Sequence, residues 1–167
     1  MEITDSARFL EFYERVHERT LRVMRCIPPD ELDWTYREGK FTLGDLIRHL
    51  GAINRYMFAE NAQLKPSRYP GHGKDLADGY VNVLAFYEKM HQECVAIIKA
   101  LTPEDLQKKC VTPGGVSITV WKWLRSMVEH EIHHRGQIFI YLGMLNVPTT
   151  PLYGHTSEEV YERSQHG

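Results

Sequence analysis

Between Trp121 and Leu145, the side chains able to do chemistry are His130, Glu131, His133, His134 and Arg135. A neutral imidazole is a good ligand for a divalent transition metal, and two histidines four residues apart on a helix stand one turn above each other and can converge on one ion. At about 100° per residue, Val120, Trp123, Met127, His130, His134, Ile138, Tyr141 and Leu145 share a face, which places His130 and His134 in the middle of an apolar stripe. His133 falls on its flank and is expected to stay outside a first coordination shell. Two core histidines satisfied by neighbouring polar groups would leave the same trace, so a third inward histidine is the discriminating feature. His49 supplies it: Leu46, His49, Ile53 and Tyr56 fall on one side of the apolar stretch that follows Thr42.

His130-Glu131-Ile132-His133-His134 also satisfies HExxH, in which a carboxylate polarises a zinc-bound water. The extended form needs a glycine and then a further histidine downstream of the second ligand, and Gln137 and Ile140 stand at those places. No sheet precedes the motif to hold an extended peptide, which argues against a protease. Three neutral imidazoles leave a coordination position open, as catalytic rather than structural zinc does. Glu131 is then a candidate base, with a supporting or surface role as the alternative. Arg135 is a candidate dock for the carboxylate of a thiol cofactor, against the commoner case of an exposed helix arginine.

The elements that position these residues follow from hydrophobic period and punctuation. Four main helices are expected near residues 4–26, 42–62, 78–101 and 118–145. Thr42 and Asp45 form a capping-box pattern at the start of the second, and Ser117 or Thr119 is the expected cap of the fourth. Pro103 begins a short helical turn, and two short extended arms flank Pro113-Gly114-Gly115. Residues 30–41 read as an ordered connection. The turn formers Pro66, Pro70, Gly71 and Gly73 mark a surface loop in which His72 is expected to be solvated. A short terminal helix is expected after Thr156. His91, inward on the third helix, is a reserve ligand, and His17 is read as a core or solvated histidine. Gly136 costs about 1 kcal/mol against alanine inside a helix, and close approach of another helix is the expected reason for it.

A chain of 167 residues is read as one domain, 1–167, able to bury a core without staples. A net charge of −2 with both signs interspersed offers no footprint for nucleic acid or for an anionic membrane surface. The three cysteines, Cys26, Cys94 and Cys110, lack CxxC or framework spacing and are expected to be reduced. Neither a basic, then apolar, leader nor a span-length apolar run is present, so the chain is expected in the cytoplasm. Trp121, Val128, Ile132 and Phe139 fall on a second face of the fourth helix, opposite the histidines. Pairing in a two-fold homodimer is the expected cover, with the terminal segment around Leu152, Tyr153 and Val160 as the alternative.

His49, approached through Thr42-Leu43-Gly44-Asp45-Leu46-Ile47-Arg48, and the later His130-x-x-x-His134-Arg135-Gly136-Gln137 together resemble the DinB family of the DinB/YfiT-like superfamily, over nearly the whole chain. The resemblance implies an all-α four-helix bundle of up-down-down-up type with one overhand crossover and a short C-terminal helix. It also implies that His49, His130 and His134 hold a divalent metal ion, commonly zinc or nickel. Relatives of that kind include thiol-dependent S-transferases and isomerases. The leading expectation is therefore a metal-dependent enzyme transferring a low-molecular-weight thiol to a small electrophile. A metal-assisted hydrolase and a non-catalytic metal-binding protein are the alternatives.

Overall fold

The structure is a computed structural model that describes residues 2–165. Helix α1 (Ser6–Met24) begins where the Asp5 carboxylate accepts the amides of Ala7 and Arg8. After a 3-10 turn at Pro29–Glu31, α2 (Leu43–Ala52) starts at the Thr42–Asp45 capping box. It passes without a break into a π-helical segment, Ile53–Ala59, and ends in the single turn α3 (Glu60–Ala62). A long crossover leads to α4 (Tyr80–Lys99), and a second capping box, Thr102 with Asp105, opens α5 (Pro103–Gln107). The antiparallel hairpin β1 (Lys109–Val111) and β2 (Ser117–Thr119) runs directly into α6 (Val120–Met144), and α7 (Ser157–Gln165) closes the described chain.

Two clusters of buried side chains show which helix ends lie together. One joins the start of α1 (Phe9, Tyr13), the π segment (Phe58), the end of α4 (Cys94, Ile98) and the start of α6 (Val120, Leu124). The other joins the end of α1 (Val23, Met24), the start of α2 (Leu43, Ile47), the start of α4 (Val83, Tyr87) and the end of α6 (Ile138, Leu142). With α1 pointing up, α2 and α4 point down and α6 points up. Each of α1 and α2 packs against both α4 and α6, so chain neighbours α1 and α2 lie diagonally across the bundle. Because α2 and α4 run in the same direction side by side, the chain must return the length of the bundle between them, and residues 63–79 do so. The expected all-α, up-down-down-up bundle with a short C-terminal helix is the observed fold.

Some expectations of detail are corrected. The second helix is not uniformly α, and its π segment has no mark in the periodicity. Of the two expected caps Thr119 stands at the N-cap position of α6, but without a side-chain cap: its hydroxyl accepts the Lys109 ammonium at 2.8 Å, while the first α6 amide, of Val120, donates to the Lys108 carbonyl. The close helix packing expected at Gly136 is absent: a Cβ there would meet nothing within 4 Å. The end of α6 follows the expected stop. Asn146 takes φ +56, its amide donates to Gly143 and that of Val147 to Leu142, the paired bonds of a Schellman ending.

Candidate metal centre

α6 buries Val120, Trp123, Leu124, Met127, Val128, Glu131, Arg135, Ile138, Tyr141 and Leu142. The buried face keeps Val120, Trp123, Met127, Ile138 and Tyr141 of the stripe read in the sequence but is turned by about half a residue step, roughly 50°, so that His130 and His134 stand at its edge, half-buried rather than central. That edge faces α2, whose buried His49 completes the group. One nitrogen from each of His49, His130 and His134 lies within 4.8 Å of the other two. Nε2 of His49 and Nε2 of His130 are 3.3 Å apart. Two ligands of a tetrahedral zinc, each bound at about 2.0–2.1 Å, are separated by roughly 3.3–3.4 Å, so this pair already has the spacing of a coordination edge.

The second nitrogen of two of the rings is engaged. Nδ1 of His134 is 3.0 Å from Oε1 of Gln137, whose amide in turn donates to the Tyr141 hydroxyl at 3.1 Å. Nδ1 of His49 is 2.8 Å from the Tyr69 hydroxyl, which is also 2.8 Å from Nδ1 of His72. Such contacts fix ring orientation and tautomer and leave Nε2 toward a metal. Burial holds all three rings neutral. The pKa of His49 falls to about 3, through burial first and then through His134, His130 and His72. That of His130 falls to about 4, through burial and then His134 and His133. That of His134 is lowered by burial, against the opposing Gln137 bond. A set of three neutral nitrogen donors at the margin of the core fits a borderline ion such as zinc or nickel.

The crossover that brings Tyr69 and His72 to the site is pinned by Arg48, one residue before His49. Its fully buried guanidinium donates to the His72 carbonyl at 2.7 Å, the Ala77 carbonyl at 3.1 Å and the Asp45 carboxylate at 2.7 Å. Sequence reasoning passed over Arg48 and Tyr69 and expected His72 to be solvated. An arginine at the centre of an apolar run was the available signal for Arg48. Nothing local marks the loop residues. Phe41 fills the space among the rings of His49, His72 and His134.

The remaining candidates lie elsewhere. His133 is exposed beside the group. His91 is buried between α1 and α4, with Nε2 3.0 Å from Glu14 and its ring stacked at 3.5 Å on that of His17. It belongs to a separate polar cluster and is no reserve ligand here. Glu131 is neither at the surface nor in the histidine group: its fully buried carboxylate accepts the Tyr87 hydroxyl and the Asn54 amide, each at 2.8 Å. Those bonds turn it into the core, which leaves no base at this position facing an open coordination site. Burial raises its pKa, against the opposing hydrogen bonds. Arg135 is buried as well, with Nη1 unpartnered among the described residues, so it is not a solvent-facing dock for a cofactor carboxylate.

The model of the DinB superfamily matches residues 13–138, which span α1 to the histidine helix and every residue of the site. The chain belongs to the DinB superfamily. It is 27% identical over 130 residues to YjoA of Bacillus subtilis, covering 76% of this chain and 82% of that one. The crystal structure of that DinB-like protein superposes with TM-score 0.69 at 19% identity, covering 89% of this chain and 99% of the other. A protein of Oceanobacillus iheyensis whose name proposes a metal-dependent hydrolase is 26% identical over 119 residues, 65% of this chain and 69% of its own. YfiT of Bacillus subtilis, described as a probable metal-dependent hydrolase with an unusual four-helix bundle topology, superposes with TM-score 0.69 at 20% identity, covering 89% of this chain and 91% of that one. The last likeness is one of fold.

Proposed function

We propose that this DinB-superfamily chain is a metal-dependent hydrolase of small molecules, with His49, His130 and His134 holding one divalent ion, zinc or nickel. The observation that carries this reading is the meeting of three neutral imidazoles from α2 and α6 at the margin of the core. A divalent ion bound there supplies Lewis acidity and brings the pKa of a bound water toward neutrality. The chain's own part is orientation. Gln137 accepts the Nδ1 proton of His134, and Tyr69 accepts that of His49 when its own proton goes to His72, so both rings present an Nε2 lone pair. His72 stands two hydrogen bonds from the ligand ring and at the protein margin, a place from which a proton can be passed to solvent. The name of the Oceanobacillus iheyensis relative supports hydrolysis over the other chemistries. Thiol transfer loses its proposed docking residue with the burial of Arg135.

The test begins with metal analysis of protein purified without an affinity tag, alongside His134→Ala. One equivalent of metal in the parent and none in the variant is expected. Chelated and reloaded protein is then assayed on a panel of esters and amides and, in parallel, on thiol transfer to electrophiles. Hydrolysis that vanishes on chelation and returns with metal supports the reading. Metal-dependent thiol transfer without hydrolysis would replace it, and loss of neither metal nor activity in His134→Ala would remove the site.

A further inference from the structure

A six-residue pattern occurs twice in the chain, as Phe12-Tyr13-Glu14-Arg15-Val16-His17 on α1 and as Phe86-Tyr87-Glu88-Lys89-Met90-His91 on α4. In each copy the glutamate and the histidine are three residues apart, which puts them on one face of the helix, a turn from each other. Because α1 and α4 run in opposite directions and pack together, the two copies meet about a local two-fold axis. His17 and His91 stack at that axis, with ring centroids 3.5 Å apart and planes 10° from parallel. Tyr13 lies 4.9 Å from His91 and Tyr87 lies 4.9 Å from His17, so the surroundings of the two rings match.

Both histidines are 7% exposed, and each has a buried Nδ1 without a hydrogen-bond partner among the described residues. Polar groups so deep in a protein are normally satisfied. These two instead line an open groove of about 340 Å³ together with Glu14 and Glu88, between Leu21 and Val95. Nε2 of His91 is 3.0 Å from Glu14 on the opposite helix. Glu88, its counterpart, is drawn aside by the Arg25 guanidinium at 3.0 Å. Burial, then His91 and Arg25, lower the pKa of His17 to about 3, so that this ring is an uncharged donor at neutral pH.

Facing helices that each carry Glu-x-x-His are the donor set of carboxylate–histidine metal sites in helix bundles, each helix giving one oxygen and one nitrogen. Two carboxylates and two neutral imidazoles suit a divalent ion of borderline hardness, zinc among them. We infer that Glu14, His17, Glu88 and His91 form a second metal site, taking one divalent transition ion in the groove between α1 and α4. The site is independent of the three histidines held by α2 and α6. Parallel rings 3.5 Å apart cannot both aim an in-plane lone pair at a point between them. Binding therefore turns the rings out of their stack, and Glu88 exchanges Arg25 for the ion. Those two rearrangements make this the weaker of the two sites, one that fills from added metal rather than holding it through purification. The ion fastens α1 to α4.

Zinc titrated calorimetrically into His134→Ala tests the site with the three-histidine group broken. One equivalent should bind. His17→Phe and His91→Phe, each added to that background, keep an aromatic ring in the stack. Each should weaken binding by more than the roughly tenfold to hundredfold that loss of a supporting hydrogen bond costs at a metal site. Glu14→Gln, at a side chain 46% exposed, is expected to fold as the parent does and should weaken binding in the same direction. Arg25→Ala frees Glu88 and should raise affinity by up to about fivefold, the worth of an exposed ion pair. In the wild-type protein, excess zinc should shift the ring-nitrogen NMR signals of His17 and His91, a readout that needs no variant. No uptake by His134→Ala, uptake indifferent to the phenylalanine and glutamine substitutions, or signals of His17 and His91 that stay in place would overturn the site. An affinity that does not rise in Arg25→Ala would remove Glu88 from it.

Discussion

Glu131 shows how far a residue's role can lie from its motif. It is the second letter of an HExxH match, yet its carboxylate is enclosed by Tyr87 and Asn54 in the core rather than turned toward the three histidines. Removing it would leave two buried donors without an acceptor, at about 1–3 kcal/mol each. Glu131→Ala is therefore expected to destabilise the fold by about 3–5 kcal/mol in urea unfolding while the folded protein still takes up one metal equivalent; metal loss without destabilisation would place the carboxylate in the site instead. The histidines give a pH dependence of definite sign. His17 and His49 are depressed to about 3 and His130 to about 4. Between their ordinary value of 6.5 and those values, the unfolded chain binds more protons than the folded one, so stability is present above 6.5 and lost as pH falls. His134 is lowered as well; Glu131 has the opposite sign, its raised pKa removing stability as pH rises above 4.5, and it is one group against four. The urea midpoint of metal-free protein should fall steadily from pH 7 to pH 4.5, and a flat or rising profile would contradict the burial assigned to these rings.

At the level of elements, the site depends on two departures from regular helix packing. The π segment carries Asn54, the residue that binds Glu131 of α6, and so ties the histidine-bearing helix pair together just past His49. The crossover of residues 63–79 carries Tyr69 and His72 and is fastened by Arg48. The Arg48 side chain is 1% exposed and its Asp45 partner 21%, so this is a pair inside the protein rather than a surface ion pair. Arg48→Met keeps the apolar stem but deprives two carbonyls and a carboxylate of their donor. It should cost about 3 kcal/mol and, by freeing the loop, lower metal affinity as well. Calorimetric metal titration of Arg48→Met beside wild type checks this, and full affinity in a destabilised variant would show that the loop does not support the ligands.

For the whole molecule, the two faces of α6 decide what else the chain can meet. Val128 is 4% exposed and lies in the core, which removes it from the proposed second apolar face. Trp121 is half-buried, with Lys122 and Arg125 over its ring. Ile132 and Phe139 stay open at 41% and 37%. The terminal segment does not close over them through its ends: the Arg22 guanidinium on α1 donates to the Leu152 carbonyl, while Tyr153 and Val160 are exposed. The homodimer proposal thus narrows to Ile132 and Phe139, on the face of α6 turned away from His130 and His134. It predicts a dimer by light scattering at micromolar concentration that Ile132→Asp converts to monomer without loss of thermal stability. A wild-type monomer would defeat it. No helix among the described residues is long and apolar enough to cross a membrane.

The sequence by itself determined the helices, the Thr42–Asp45 capping box and the histidine pair, because each is written within a few residues: apolar spacing repeats every turn, Thr42 and Asp45 sit three apart, and His130 and His134 mark one helix edge. The order of the bundle was legible through family resemblance, since no local pattern tells a diagonal neighbour from an adjacent one. What only the tertiary structure decided was which strip of α6 faces inward. A shift of about half a residue step in helical phase, set by packing against α1 and α2 together, sends Glu131 and Arg135 into the core and leaves the two histidines at its rim. Tyr69, His72 and Arg48 likewise gained their roles from a chain return whose path is fixed by non-local hydrogen bonds, and such bonds leave no period in the sequence to read.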